Sequence, residues 1–156
     1  LTQKVIVYTD GAALGNPGPG GFGVVMLYGD KRKEISAGYR LTTNNRMELL
    51  AVIIALESLK RENLEVVVYS DSQYVVNSIE KKWVFGWMKI GFKGKKNEDL
   101  WRRFLPAYAK QKVKMVWVKG HAGLKENERC DELSVIAANS RNKLVDAWYE
   151  ANSITN

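Results

Sequence analysis

Cysteine and histidine each occur once in this chain of 156 residues, as Cys130 and His121, and proline occurs three times. A lone cysteine cannot close an internal disulfide, which points to a reducing compartment such as the cytoplasm. The same scarcity leaves no cysteine or histidine ligand set for a soft metal. The longest apolar run, Leu49 to Leu56, falls far short of the ~20 residues that cross a bilayer. The chain enters a strand within its first few residues, leaving no room for a signal peptide, and Leu1 in place of Met is compatible with a trimmed start. Internal repeats and a domain linker are also absent. The expectation is a single domain over residues 1–156, monomeric and cytoplasmic, with a tail at 143–156 that either caps the sheet or lies free.

Acids are outnumbered too, 17 Asp and Glu against 24 Lys and Arg, for a formal charge of +7. That excess favours a polyanionic partner. Lys81, Lys82, Lys89, Lys93, Lys95 and Lys96 fall in one stretch, residues 81–96, that contains no acid. Trp83, Phe85, Trp87 and Phe92 are interleaved with them. Lysines neutralise phosphates and aromatic faces stack on sugars or bases, so the cluster reads as a nucleic-acid groove. Any one of these aromatics, taken singly, reads as packing inward.

What the chain does have is a repeated ending. Val5-Ile6-Val7-Tyr8-Thr9 runs into Asp10, and Val66-Val67-Val68-Tyr69-Ser70 runs into Asp71. Both runs are β-branched and apolar, as strands buried inside a sheet are. Neighbouring strands lie ~4.8 Å apart, so pairing would bring the two acids together, an arrangement that calls for a shared cation.

The remaining pattern is α/β. Strands are expected at 4–9, 23–28, 32–39, 65–70 and 113–119, the first three as an antiparallel meander and Gly11 to Gly21 as a glycine-rich loop. Helices are expected at 44–60, opened by Thr43, Asn44 and Asn45, then at 72–80, 82–87, 98–111 and 126–139. Pro106 should kink or split the fourth of these. Two further acids, Glu48 and Asp131, lie early in helices, where a dipole bonus alone accounts for an acid.

The wording around the acids is far more specific than the acids themselves. Thr9-Asp10-Gly11 is followed by Gly15-Asn16-Pro17-Gly18-Pro19-Gly20-Gly21, then by Thr42-Thr43-Asn44-Asn45-Arg46-Met47-Glu48-Leu49. Ser70-Asp71-Ser72-Gln73-Tyr74-Val75 comes next, then Val118-Lys119-Gly120-His121-Ala122-Gly123 and Glu126-Asn127-Glu128-Arg129-Cys130-Asp131-Glu132-Leu133. In this series, over about residues 3–139, the sequence resembles the ribonuclease H family, in particular its bacterial type 1 members.

The resemblance implies a mixed five-stranded sheet, an antiparallel meander plus two parallel strands, flanked by helices. It implies Asp10, Glu48, Asp71 and Asp131 as catalytic carboxylates holding two Mg2+ ions, with Mn2+ as a substitute, and His121 as a mobile proton carrier. Asp10 would bridge the ions, with Glu48 and Asp71 on one side and Asp131 on the other. Glu128 resembles a family acid that assists product release. The implied reaction is hydrolysis of the RNA strand of an RNA/DNA hybrid, leaving 5′-phosphate and 3′-hydroxyl ends. Hard oxygen donors suit magnesium, and two such ions serve phosphodiester hydrolysis. Asn16, Asn44, Asn45 and Gln73 would read 2′-hydroxyls. Thr43 would grip a DNA phosphate, Trp83 would pack on deoxyribose, and Lys89, Lys93, Lys95 and Lys96 would form a basic handle, shorter than in well-known members. Ala13 stands where relatives often carry cysteine. Two other readings are a same-fold resolvase or strand-transfer domain, and a hybrid-binding module without activity.

Overall fold

Val5–Ala13 (β1) is the central strand of a five-stranded sheet in the computed structural model, which describes residues 3–153. It pairs antiparallel with Gly18–Tyr28 (β2), which pairs antiparallel with Lys31–Thr42 (β3). On its other side β1 runs parallel to Glu65–Ser70 (β4), itself parallel to Lys112–Trp117 (β5). The order is β3-β2-β1-β4-β5, the expected meander with two parallel strands added. The helices are Asn44–Glu57 (α1), Gln73–Glu80 (α2), Trp83–Lys89 (α3), Glu98–Ala109 (α4), Lys125–Ala138 (α5) and Ala147–Ser153 (α6).

Successive residues of a strand face opposite sides of a sheet, and β1 shows what each side carries. Val7 is fully buried in the core with Met47, Leu49 and Ile53 of α1. Tyr8, one residue on, accepts the Cys130 S–H of α5 on its carbonyl at 3.2 Å. Two glycines set these spacings: a Cβ at Gly11 would stand 2.3 Å from the Met47 backbone, and one at Gly23 would stand 2.4 Å from the Cys130 carbonyl oxygen. The helix carrying Glu48 and the helix carrying Asp131 therefore press directly onto the central strands. α1 is buried nearly all round, since α4 covers the side away from the sheet.

Several expectations are corrected. The Gly11 to Gly21 segment is mostly strand: β1 continues through Asp10 to Ala13 and β2 starts at Gly18. Glycine is depleted in strands, so the pattern reads as loop although these glycines serve close packing. Asp10 accordingly lies within a strand and Asp71 just beyond one. Finally, α4 runs through Pro106 without being split. Pro106 and Arg102 are both on the exposed side, so the carbonyl that loses its N–H partner faces water. Strand β5 ends at Trp117, two residues short of the expected limit.

Residues 140–153 are tied to the far edge of the sheet. Leu144 exchanges backbone hydrogen bonds with β3, its N–H donating to Gly38 at 2.8 Å and its carbonyl accepting from Arg40 at 3.0 Å. Of the expected tail, residues 154–156 lie outside the described residues, as do residues 1 and 2. Among the described residues no helix is long and apolar enough to cross a membrane.

Candidate active site

Thr9 is paired with Ser70 in the parallel ladder, so Asp10, still within β1, and Asp71, just past the end of β4, are neighbours. Ser72 stabilises the turn after Asp71 in two ways. Its N–H donates to Ser70 Oγ at 3.1 Å, and its own hydroxyl caps α2 by accepting from Val75 N–H at 3.2 Å. The Trp117 indole donates to the Asp71 carbonyl at 3.1 Å. Thr43 caps α1 by accepting from Arg46 N–H at 3.2 Å, which starts the helix so that Glu48 falls in its second turn, over Gly11.

Asp10, Glu48 and Asp71 each bring a carboxylate oxygen within 4.8 Å of the others. Asp10 and Glu48 are buried, and Asp71 is half-buried. Burial first, then the charge of Asp71, pushes the Asp10 carboxyl up to about 8; the Gly11 N–H, donated at 2.9 Å, opposes this and Asp131 adds to it. Burial, followed by the charges of Asp10 and Asp71, raises Glu48 well above the usual carboxylate range. Glu48 Oε1 and Asp71 Oδ1 are buried with no hydrogen-bond partner among the described residues. Buried carboxylate oxygens without donors are costly. A hard divalent cation is the partner that suits these two oxygens together with the Asp10 carboxylate.

Asp131 lies outside this tight group but lines the same cavity, close enough to Asp10 to act on its ionisation. The cavity measures about 420 Å³, and Asn44, Asn45, Gln73 and His121 line it too. His121 is exposed and adopts φ 57°, a left-handed conformation that is uncommon outside glycine. Glu128 is exposed on the first turn of α5.

Beside the cavity runs a groove of about 700 Å³ lined by Asn16, Thr43, Asn45, Lys95 and Lys96. Trp83, Lys89 and Lys93 line neither space; all three are exposed on or after α3. The interleaved aromatics divide. Phe92 is buried, Phe85 and Trp87 pack on Tyr108 and Trp101, and Trp83 alone of the four is 45% exposed, with the Lys81 ammonium 5.4 Å from its ring centre.

Asn16 and Asn44 have structural duties as well. Asn44 Oδ1 accepts from Ala13 N–H at 2.5 Å, and Asn16 Oδ1 accepts from Asn44 N–H at 3.1 Å. Together they fasten the β1–β2 turn to the start of α1.

Sequence reasoning passes over Arg46, which is 1% exposed two positions before Glu48. Its guanidinium donates to both oxygens of Asp146 at 2.7 and 2.9 Å and to both of Asp99 at 2.8 and 2.7 Å. The rings of Trp148 and Tyr149 lie 5.2 and 5.8 Å away. This one side chain joins the site helix to α4 and to the C-terminal segment. Asn97 and Tyr74 are also passed over. The Tyr74 hydroxyl accepts from Asn97 Nδ2 at 3.1 Å and from the Trp101 indole at 2.9 Å, bracing the cavity wall against the basic segment. A basic residue in a largely apolar helix was the available sign for Arg46; nothing local marks its partners, 53 and 100 residues away.

The family model for RNase H matches residues 2–139. A ribonuclease H of Syntrophus aciditrophicus is 55% identical over 152 residues, covering 94% of this chain and 87% of that protein. One from Klebsiella pneumoniae is 54% identical, covering 96% of this chain and 97% of that protein. Among solved structures, LC9-RNase H1, described as a type 1 RNase H with the type 2 active-site motif, superposes with a TM-score of 0.81 at 36% identity, covering 97% of this chain and 81% of that one. LC11-RNase H1, solved in complex with an RNA/DNA hybrid, has a TM-score of 0.61 at 30% identity over 87% of this chain and 97% of that one. With its motifs in series, this sheet order and such relatives along almost its whole length, the chain belongs to the ribonuclease H family.

Proposed function

We propose that this protein is an endonuclease that hydrolyses the RNA strand of RNA/DNA hybrids, using Asp10, Glu48, Asp71 and Asp131 to hold two Mg2+ ions. The observation that carries the reading is the convergence of three carboxylates within 4.8 Å, two of them with buried oxygens that lack any donor. When bound there, the ions supply an activated water and stabilise the departing oxygen, giving 5′-phosphate and 3′-hydroxyl ends.

The protein's own contribution is placement. Ladder pairing and the Ser72 cap keep Asp10 and Asp71 adjacent, and the backbone contact at Gly11 keeps Glu48 over them. Held rigidly, their oxygens need little rearrangement during reaction. Asp131, on the side of Asp10 facing α5, completes the set. The His121 ring, exposed at the lining of the cavity, carries protons to and from solvent, as an imidazole can through either ring nitrogen. Asn44, Asn45 and Gln73 line the cavity with the carboxylates and can hydrogen-bond to 2′-hydroxyls, which DNA lacks. Thr43, Lys95 and Lys96 line the neighbouring groove for the DNA strand, with Trp83, Lys89 and Lys93 extending the contact along α3; Asn16, expected to read 2′-hydroxyls, lines this groove and not the carboxylate cavity.

The test is an assay with Mg2+ on a hybrid labelled on either strand, alongside single-stranded RNA and duplex DNA. Cutting confined to the RNA of the hybrid is expected. Cutting of duplex or branched DNA instead would move the protein to another branch of the fold, and tight hybrid binding without cutting would leave a binding module.

A further inference from the structure

Helix α6 lies beyond residue 139, where the match to the family model ends, and none of its seven residues is buried. A helix of that length does not persist on its own in water. It is nevertheless fastened at several points. Asp146, immediately before it, is buried, and its Oδ2 accepts from the Thr42 hydroxyl at 2.8 Å as well as from the Arg46 guanidinium. Glu150 accepts from Arg40 on both of its oxygens, at 2.7 and 2.9 Å, and its N–H donates to the Asp146 carbonyl at 2.9 Å. With Leu144 already paired to β3, the segment is pinned in place without adding an α6 side chain to the core. Covering Arg46 is one result of this anchoring, and what the helix presents outward is the other.

Outward, it presents a wall of the groove that Thr43, Lys95 and Lys96 line. Trp148, Tyr149, Asn152 and Ser153 form that wall. Trp148 remains 40% exposed although its ring centre lies 5.2 Å from the Arg46 guanidinium. Asn152 follows one turn later, its Nδ2 donating to the Trp148 carbonyl at 2.7 Å. No carboxylate among the described residues lines the groove. The acids of the adjoining elements, Glu98, Asp99, Asp146 and Glu150, are each engaged by an arginine. The groove is thus cationic on one side, aromatic on another and free of negative charge.

Lysines answer phosphates, and a flat aromatic face answers sugars and bases. An acidic protein segment would satisfy the lysines equally well. The groove, however, shares Asn45 with the carboxylate cavity, so its occupant is continuous with whatever lies across the carboxylates. We propose, resting on the reading of the protein as a hybrid nuclease, that α6 is a further wall of the DNA-strand groove. Trp148 packs on the sugars and bases of the uncleaved strand whose phosphates meet Thr43, Lys95 and Lys96. Arg46 is then a positioning residue for substrate as well as a brace, because its contacts with Asp146 and with the Trp148 and Tyr149 rings set where the wall stands.

The experiment is fluorescence anisotropy with a labelled RNA/DNA hybrid titrated with the intact protein, in chelator so that the hybrid stays whole, over a series of salt concentrations. Trp148→Leu keeps an apolar cover over Arg46 but lacks the flat ring, Trp148→Phe restores a ring, and Asn152→Glu sets a negative charge in the groove from an exposed position. Trp148→Leu should bind hybrid roughly tenfold more weakly than the parent, with Trp148→Phe within about threefold of it. The salt slope of Trp148→Leu should equal the parent's, since a packing contact releases no counterions. Asn152→Glu should melt as the parent does and bind more weakly, most of all at low salt. Parent-like binding by Trp148→Leu would overturn the proposal, as would a loss that Trp148→Phe suffers in full. A loss in Trp148→Leu that Asn152→Glu does not share would also overturn it, leaving Trp148 as a cover for Arg46 alone. Failure of the parent itself to bind hybrid would take down the function reading together with this one, whereas the other contrary outcomes leave that reading standing.

Discussion

Asp10 is the residue at which fold and chemistry pull hardest against each other. With its carboxyl pushed up to about 8, it is protonated in the folded, metal-free protein at pH values where the unfolded chain is ionised. Between about pH 4 and pH 8 the native state therefore binds more protons than the unfolded state, and stability falls as pH rises through that window. Glu48, raised in the same direction, adds to the slope. Thermal melts in chelator should show this decline for the parent and a shallower one for Asp10→Asn, with the variant the more stable of the two near pH 8. Parallel profiles would mean that the carboxylates do not interact. Arg46 works in the opposite sense, because its two bidentate partners satisfy a guanidinium that is otherwise sealed from water. Removing one side of a buried ion pair costs about 3 kcal/mol or more. Asp146→Ala should accordingly lower the melting temperature by roughly 6–12 °C for a domain of this size, whereas a drop of 1–2 °C would show the pair to be screened.

Among the elements, α1 joins the most functions. It carries Glu48, starts at the Thr43 cap beside the proposed DNA groove, and holds Arg46, which ties it to α4 and the C-terminal segment. Its burial was legible from an unbroken Leu, Ile, Val and Ala content. The pairing of Val5-to-Thr9 with Val66-to-Ser70 was legible too, since two β-branched runs ending in acids have few other uses. The glycine-rich start of β2 was not, because strand propensity describes side-chain packing and Gly21 is chosen for the side chain it lacks, a Cβ there standing 2.4 Å from the Ser134 carbonyl oxygen. The basic segment was read correctly as a charge cluster and imperfectly as a surface: three of its four aromatics serve the core, which only the tertiary contacts with Trp101 and Tyr108 disclose. Its exposed lysines remain the testable part. Replacing Lys89, Lys93, Lys95 and Lys96 with Ala should weaken hybrid binding and reduce the slope of log affinity against log salt by up to about 3.6, if all four meet phosphates. The rate at saturating substrate should be preserved. An unchanged slope would remove α3 and its following turn from the interface.

Over the whole molecule the charge of +7 is distributed with purpose. Cations line the groove beside the acidic cavity at Lys95 and Lys96 and continue along α3. That group was visible in the sequence because it is contiguous; the Arg46 cluster was not, since residues 46, 99 and 146 come together only on folding. Local words in the sequence thus disclosed the carboxylates, and folding alone disclosed what braces them. At the centre of the account is a group of carboxylates held against their mutual repulsion so that divalent cations can bind. Calorimetric titration of Mg2+ into metal-free protein at pH 8, for the parent and for Asp10→Asn, tests this most directly. Saturable binding by the parent, accompanied by a higher melting temperature and lost in the folded variant, is the predicted result; absence of binding in the parent, or equal binding by both, would contradict it.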